Sequence, residues 1–594
     1  MNILKEKQVY QRGEYPRPDF IRDNWTDLNG TWRFAFDDDG TGCDKGYHRG
    51  ENLNLEIVVP FCYQSAKSGI GDTAYHETVW YSRAVSIAEQ ELWNTCLLHI
   101  GASDYETDIW VNGEHAGKHY GGYAQFTFDI RRYLKAGDNI IAIRVRDDLE
   151  CDRPRGKQYW KEEPDRCWYT GVTGIWQNVW MELTKEVYLE QVKMIPDIDR
   201  RLLEMELYFN KSEDIELEIS IYYEGRLKKR IITEVSGSYV REGILLEEED
   251  KVDEIHYWSP EHPNLYDVSI CVGKNGVKQD EVSAYFGMRK IHISGGHIFL
   301  NNKLFYQRLI LDQGYWEDTL LTPPSSDALR RDVELTKKMG FNGARKHQKC
   351  EDPRYYYWAD VLGLAVWGEL PSGYMFQKRE IENLTREWGD FINQAYNHPS
   401  IITWVPLNES WGVRNILTDR RQQALAKGLY HLTKAFDGTR LVSTNDGWEQ
   451  VEETDLLGLH DYAGSAEEIR KRYEDLEEFF KTGIPGRQAL SEGNEYQGQP
   501  ILLTEYGGIA LKKTKEAEWG YNEAAETPEE LADRLRDLTE AVRSTGVFQG
   551  FCYTQLTDVM QEVNGLLTAE REPKIECEKL AEIFTGGMGD NEEY

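Results

Sequence analysis

The chain has 594 residues, too many for one hydrophobic core, because cores stop growing near roughly 250–300 residues and chains then divide. Lys+Arg 69 against Asp+Glu 103 gives a formal charge of -34, which repels nucleic-acid phosphates and anionic membranes and leaves a small neutral partner as the better fit. Acidic substrates are disfavoured only weakly, since one local Arg or Lys overrules a distant field at physiological salt.

The nine cysteines (Cys43, Cys62, Cys96, Cys151, Cys167, Cys271, Cys350, Cys552 and Cys577) are scattered and contain no Cys-x-x-Cys pair. Zinc ribbons and disulfide frameworks are not expected from that pattern. The opening residues MNILKEKQVYQRGEYPRPDF lack an apolar core of signal-peptide length, and nothing later approaches the ~20 apolar residues of a membrane span. The reading is a reduced, cytoplasmic enzyme without a membrane partner.

From Trp25 to about Leu183, short alternating runs such as TWRFAFDDDG, VWYSRAVSI and QFTFDI are separated by Gly, Asn and Asp. Period-two patterning at this spacing predicts an antiparallel β-sandwich over 1–185. Asn112-Gly113 between two runs predicts a type I′ hairpin, which needs positive φ at both central residues. Residues 186–289 carry further strand-like runs, including LEMELYFN, ELEISIYYEG and LYDVSICVG, and suit an immunoglobulin-like β-sandwich.

After Gly295-Gly296 apolar runs alternate with amphipathic helices, and residues 290–594 read as a (β/α)8 TIM barrel. The eight candidate strands are Leu304–Ile310, Phe341–Ala344, Leu364–Trp367, Ile401–Pro406, Leu441–Thr444, Leu456–Leu459, Ile501–Leu503 and Gly550–Tyr553. Between them, one helix is capped by Ser326 and ended by Gly340, and others run from about Arg379 to Tyr396, Arg420 to Phe436, Ala466 to Phe480 and Pro528 to Ser544.

Two segments carry chemistry. In NHPSIITWVPLNESWG, residues 397–412, a buried strand delivers Asn408-Glu409 just beyond its C-terminal end; in PILLTEYGG, residues 500–508, another strand delivers Glu505. Reacting groups of a barrel sit at that end of the strands. A single glutamate after an apolar strand is ordinarily a surface or cap residue, but two such residues suit acetal cleavage, which needs one carboxyl to protonate the departing oxygen and another at the anomeric carbon.

With these segments the chain resembles glycoside hydrolase family 2, the family of β-galactosidases, β-glucuronidases and β-mannosidases. The run Asn-His-Pro-Ser-Ile-Ile-x-Trp ending in Asn408-Glu409 is similar to its acid/base signature, and Thr504-Glu505-Tyr506-Gly507 to its nucleophile segment. VWYSRAVSI and DIWVNGEHAGKHYGGYAQFTFDI resemble its jelly-roll sugar-binding sandwich. The resemblance implies Glu409 as acid/base, Glu505 as nucleophile, Asn408 as a hydrogen-bonding partner of the sugar 2-hydroxyl, and retention of configuration. With Glu505 ionised nearby, Glu409 is expected to hold its proton to a higher pH, until esterification of Glu505 removes that charge.

Tyr462 resembles the family tyrosine that hydrogen-bonds the nucleophile; His460 beside it is either a sugar contact or a buried structural histidine. Arg345 and His347 resemble a strand-end Arg and His of the family, at a spacing one residue shorter than usual. Asp312 and Trp316 stand in a loop that departs from the family, as sugar contacts or as structural residues, and Tyr553 and Gln555 stand near the eighth strand where relatives often place a Trp. β-Glucuronidases of the family read the sugar carboxylate with Asn-x-Lys, but here Asn564-Gly565-Leu566 lacks the lysine. That departure favours a neutral glycone, with Lys346, Arg571 or Lys574 as the residues able to reverse the choice.

No cluster of His, Cys and carboxylates shows metal-ligand spacing, and no cofactor is expected. The expectation is a retaining exo-β-glycosidase of β-galactosidase type acting on a small carbohydrate, with a homo-oligomer if a neighbouring subunit closes the pocket. The alternatives are a β-glucuronidase or arabinosidase using the same carboxylates, and an inactive carbohydrate-binding protein.

Overall fold

The computed structural model describes residues 3–161, 163–246, 255–513 and 515–586. The first domain pairs a six-stranded antiparallel sheet, built around Gly30–Phe36, Thr78–Ile87 and Gly137–Arg146, with a four-stranded one built around Thr95–Ile100 and Val179–Thr184. Alternation sends Trp32, Phe34, Tyr81 and Ile143 of one sheet and Leu98, Ile100 and Val179 of the other into a common core. The hairpin at Asn112-Gly113 has φ 53° and 83°, the left-handed pair that a type I′ turn demands.

In the second domain one long strand, Leu202–Tyr223, pairs through its first half with Leu189–Asp197 and through its second half with Tyr266–Lys274. Its register with Arg226–Leu245 breaks between Tyr208 and Glu213, so the strand bends and serves both faces of one core. Phe20–Ile21, which the sequence places in the first domain, adds an edge strand to this sheet by pairing with Ser283 and Ala284.

The barrel strands are β1 Gln307–Asp312, β2 Gly343–Lys346, β3 Ala365–Glu369, β4 Ile401–Val405, β5 Leu441–Val442, β6 Leu457–His460, β7 Ile501–Gly507 and β8 Phe548–Thr554. They pair in parallel in the order β5-β4-β3-β2-β1-β8-β7-β6, and a single parallel bridge, Gly447 to Leu459, closes the gap between β5 and β6. The helices are α1 Ser326–Lys338, α2 Pro353–Leu362, α3 Lys378–Ala395, α4 Arg420–Phe436, α5 Ala466–Tyr473, α6 Leu476–Thr482, α7 Pro528–Ser544 and α8 Cys577–Thr585.

Four sequence expectations need correction. Ser325, not Ser326, caps α1 by accepting from Ala328 N; Ser326 is the first helical residue, and its Oγ donates to Gly13 O of the N-terminal helix Ile3–Glu14. The helix expected over Ala466–Phe480 is two helices, because Asp475 caps α6 through Glu478 N and starts it afresh. The run beginning at Leu304 divides between a small hairpin strand and β1. The helices α2, α8 and Ile3–Glu14 were not foreseen.

Inside the barrel, Leu309, Leu311, Trp367, Ile402, Leu502 and Cys552 pack on Ile291, Ile298 and Leu300 of that hairpin, which plugs the end where the strands begin. Apolar filling at that end leaves charge to collect at the other, where the strands finish.

Candidate active site

Arg345, next to last in β2, is wholly buried, and its fork reaches several neighbours, among them Glu369 Oε2 at 2.7 Å, Asn408 Oδ1 at 2.6 Å, Glu505 Oε1 at 2.9 Å and Asp446 Oδ2 at 3.2 Å. Burial disfavours the guanidinium charge, but Glu369, Asp446 and Glu505 outweigh it and hold Arg345 firmly cationic. One cation thus ties together groups in β3 and β7 and groups just beyond β4 and β5.

Glu505 lies within β7, its Oε1 accepting from Arg345 and its Oε2 from Tyr462 Oη at 2.5 Å. Tyr462 is fixed in turn by stacking on Tyr521, with centroids 3.6 Å apart, and by Thr554 Oγ1 at 3.2 Å.

Glu409 and Ser410 have φ 51° and 57°, left-handed values that cost a non-glycine residue energy. The turn is held by Glu409 N donating to Asp446 O at 2.8 Å, Ser410 N to Asn445 Oδ1 at 3.0 Å and Ser410 Oγ to Glu449 Oε2 at 2.7 Å. So aimed, Glu409 places Oε1 at 2.8 Å from His460 Nδ1 and Oε2 at 3.3 Å from Trp411 Nε1. Asn408 has its Oδ1 engaged by Arg345, while its buried Nδ2 has no partner among the described residues.

The expectation that Glu409 holds its proton to a higher pH is reversed. Burial pushes its carboxyl up, but the hydrogen bond and charge of His460, with Lys157 and Arg345, pull it below the usual range. His460 moves the other way: burial lowers it, yet Glu505, Asp446 and Glu409 together push it up to about 9. Its Nε2 faces Asp446 Oδ2 at 3.0 Å and its Nδ1 lies 3.5 Å from Glu505 Oε2.

Of the other residues singled out in the sequence, His347 lies beside the site, with Nδ1 3.0 Å from Glu369 Oε1; burial, Lys157 and Arg345 keep it neutral. Gln555 donates through Nε2 to Asn564 Oδ1 at 2.7 Å. Asp312 is bound to Lys346 at 2.7 Å and to Gly314 N, and Trp316 carries Lys349 and Arg571 against its ring. Tyr553 packs outward on Phe584 of α8, so the side chain of β8 that reaches the glutamates' partner is Thr554.

Sequence reasoning missed Glu369 and Asp446, though Glu369 comes at the end of a buried apolar run, as Glu505 does, and Asp446 shortly after one. It also missed what the first domain supplies. Tyr169 Oη donates to Glu562 Oε2 at 2.6 Å across the domain boundary, and Trp168 meets Trp411 edge to face at 5.3 Å. Lys157, only 7% exposed, adds positive charge near Glu409 and Glu562.

One grouping among the described residues has metal-ligand atom types close together: Glu409, His460 and Glu505, each offering an atom within 4.8 Å of the others. Within it, His460 Nδ1 is hydrogen-bonded to Glu409 Oε1 at 2.8 Å and lies 3.5 Å from Glu505 Oε2.

The described helices include none long and apolar enough to cross a membrane, and all nine cysteines are free. Three sequence profiles match consecutive stretches: "Glycosyl hydrolases family 2, sugar binding domain" over 25–184, "Glycosyl hydrolases family 2" over 187–289, and "Glycosyl hydrolases family 2, TIM barrel domain" over 291–586. A β-galactosidase of Thermoanaerobacter pseudethanolicus is 25% identical over 417 residues, covering 65% of this chain and 50% of that protein. A β-glucuronidase of Paenibacillus borealis is 21% identical over 618 residues, covering 95% and 97%. The chain spans about half the length of several curated relatives it matches. In fold it is similar to the β-D-glucuronidase of Dictyoglomus thermophilum, with TM-score 0.77, 19% identity and coverage of 98% and 100%. Matched along nearly its whole length by these three profiles, the chain belongs to glycoside hydrolase family 2.

Proposed function

We propose that this protein is a retaining exo-β-glycosidase that removes a terminal sugar by double displacement. Glu505 attacks the anomeric carbon while Glu409 delivers a proton to the departing oxygen; water then enters against the ester, with Glu409 as base. The observation that carries the reading is separation: a carboxylate oxygen of Glu409 and one of Glu505 lie within 4.8 Å. Retaining enzymes hold the pair about 5–5.5 Å apart, whereas inverting ones leave roughly 6.5–9.5 Å for a water. The unpartnered Asn408 Nδ2 supports a hydrogen bond to the 2-hydroxyl, and the half-buried rings of Trp168 and Trp411 support packing on a pyranose. Both carboxylates argue for an enzyme over a binding protein.

A neutral, β-galactosidase-like glycone is supported by the cations that could have read a sugar carboxylate. Lys346 is paired with Asp312 and Glu351, Arg571 with Asp332 and Lys574 with Asp558. A uronide is the second reading, favoured by Lys157, which has no carboxylate within ion-pair distance among the described residues. A panel of 4-nitrophenyl β-galactoside, β-glucuronide, β-glucoside and α-arabinoside decides between them. A glucuronide preferred by more than tenfold, and lost in Lys157→Met, replaces the neutral reading; no turnover of any member ends the glycosidase reading.

A further inference from the structure

His460 lies between the two glutamates and belongs to neither of their assigned roles. Its Nδ1 is 2.8 Å from Glu409 Oε1 and 3.5 Å from Glu505 Oε2, and its Nε2 is 3.0 Å from Asp446 Oδ2. Asp446 is anchored independently, by Ser443 Oγ at 2.9 Å and Arg345 at 3.2 Å. An imidazole with a carboxylate oxygen on each nitrogen needs two protons to satisfy both contacts. One is fixed toward Asp446, and the other lies between Nδ1 and Glu409.

We propose that His460 is the proton store of this site, supplying Glu409 in the first half-reaction and receiving the proton back in the second; the proposal rests on the glycosidase reading above. In glycosylation the Nδ1 proton passes to the Glu409 carboxyl, and a proton passes from that carboxyl to the glycosidic oxygen. The bond from the anomeric carbon to that oxygen breaks as the bond to Glu505 forms, and His460 is left neutral. In deglycosylation water adds to the anomeric carbon, the ester to Glu505 breaks, and the water's proton goes through Glu409 to His460. No other reactant is required.

The surroundings suit the cycle. Glu505, Asp446 and Glu409 face His460 with negative charge, while Arg345, whose NH1 comes within 3.4 Å of Nε2, Lys157 and the neutral His347 lie beside them. The Trp448 ring, edge-on at 5.4 Å, covers one side. Esterification erases the charge of Glu505, the largest of the attractions on the His460 proton, at the step in which that proton has left.

Two measurements on the full chain test this. Selective 13C-histidine NMR, with the His460 signal assigned by its loss in His460→Asn, should give a midpoint near 9, lowered by at least one pH unit in Glu505→Gln and in Glu409→Gln. A midpoint at or below about 6.5, or one unmoved by both substitutions, overturns the proposal. Kinetically, His460→Asn should move the alkaline limb of kcat/KM down by at least one pH unit and slow a phenyl glycoside on the order of 100-fold, but a 2,4-dinitrophenyl glycoside less than about tenfold. Equal losses on both substrates with an unmoved alkaline limb mark a structural role and also overturn it. If the wild type cleaves no glycoside, the functional reading fails by itself, and NMR still decides where the proton resides.

Discussion

Arg345 is buried among Glu369, Asp446 and Glu505, and each carboxylate has a second donor or strand holding it in place, so the position of Glu505 is shared among several strand ends. Chemistry then divides between residues that one substitution each can separate. Glu505→Ala should abolish turnover. Glu409→Ala should slow a phenyl glycoside by 10²–10⁴-fold, an order-of-magnitude range, and a dinitrophenyl glycoside far less, with azide restoring the second step by taking the place of the missing base. Equal losses on both substrates would contradict the acid role. The glutamates were legible in the sequence because each follows a continuous apolar strand. Their proton balance was not: it depends on His460, brought to Glu409 from β6 by the fold alone. A reading limited to two carboxylates therefore predicted the wrong direction for Glu409.

At the scale of elements, β8 shows where one-dimensional reasoning slips. Its apolar run was found, but a strand alternates its side chains, and which of Tyr553 and Thr554 faces inward is set by register within the closed barrel. The turn after α4 shows how the barrel is locked below the site. Asp437 accepts from Trp404 Nε1 of β4 at 2.8 Å and from Arg440 NH1 at 2.8 Å. Burial raises its carboxyl, but the Arg440 charge and the Trp404 and Thr439 hydrogen bonds outweigh that and hold it at about 2. A carboxyl depressed in the folded state stabilises above its unfolded value and loses that contribution as pH falls toward the folded one. The gap in urea stability between wild type and Asp437→Asn should therefore be about 2 kcal/mol at pH 6 and close as pH drops from about 4 toward 2. A gap constant over that range would contradict the assignment.

Across the whole molecule, the first domain is part of the site and not a distant appendage. Residues 147–161 and 163–173 run over the barrel rim, with Arg155 N donating to Ser372 O at 2.9 Å and Tyr169 to Glu562 at 2.6 Å. The sequence showed three domains in order, because alternation and βα patterning are local signals; it could not show that Trp168 and Tyr169 meet the segments that follow β4 and β8, because that contact spans hundreds of residues. Tyr169→Phe leaves the buried Glu562 short of a donor and should destabilise the protein by about 1–3 kcal/mol while raising KM more than it lowers kcat. An unchanged KM would separate the loop from substrate binding. The central claim, that Glu505 bonds to the sugar while Glu409 assists, is tested most directly by trapping. Incubation with the 2-deoxy-2-fluoro-2,4-dinitrophenyl form of the preferred glycoside, followed by intact-mass and peptide analysis, should place one glycosyl group on Glu505. The same label on another residue, or a product released with inverted configuration, would contradict the account.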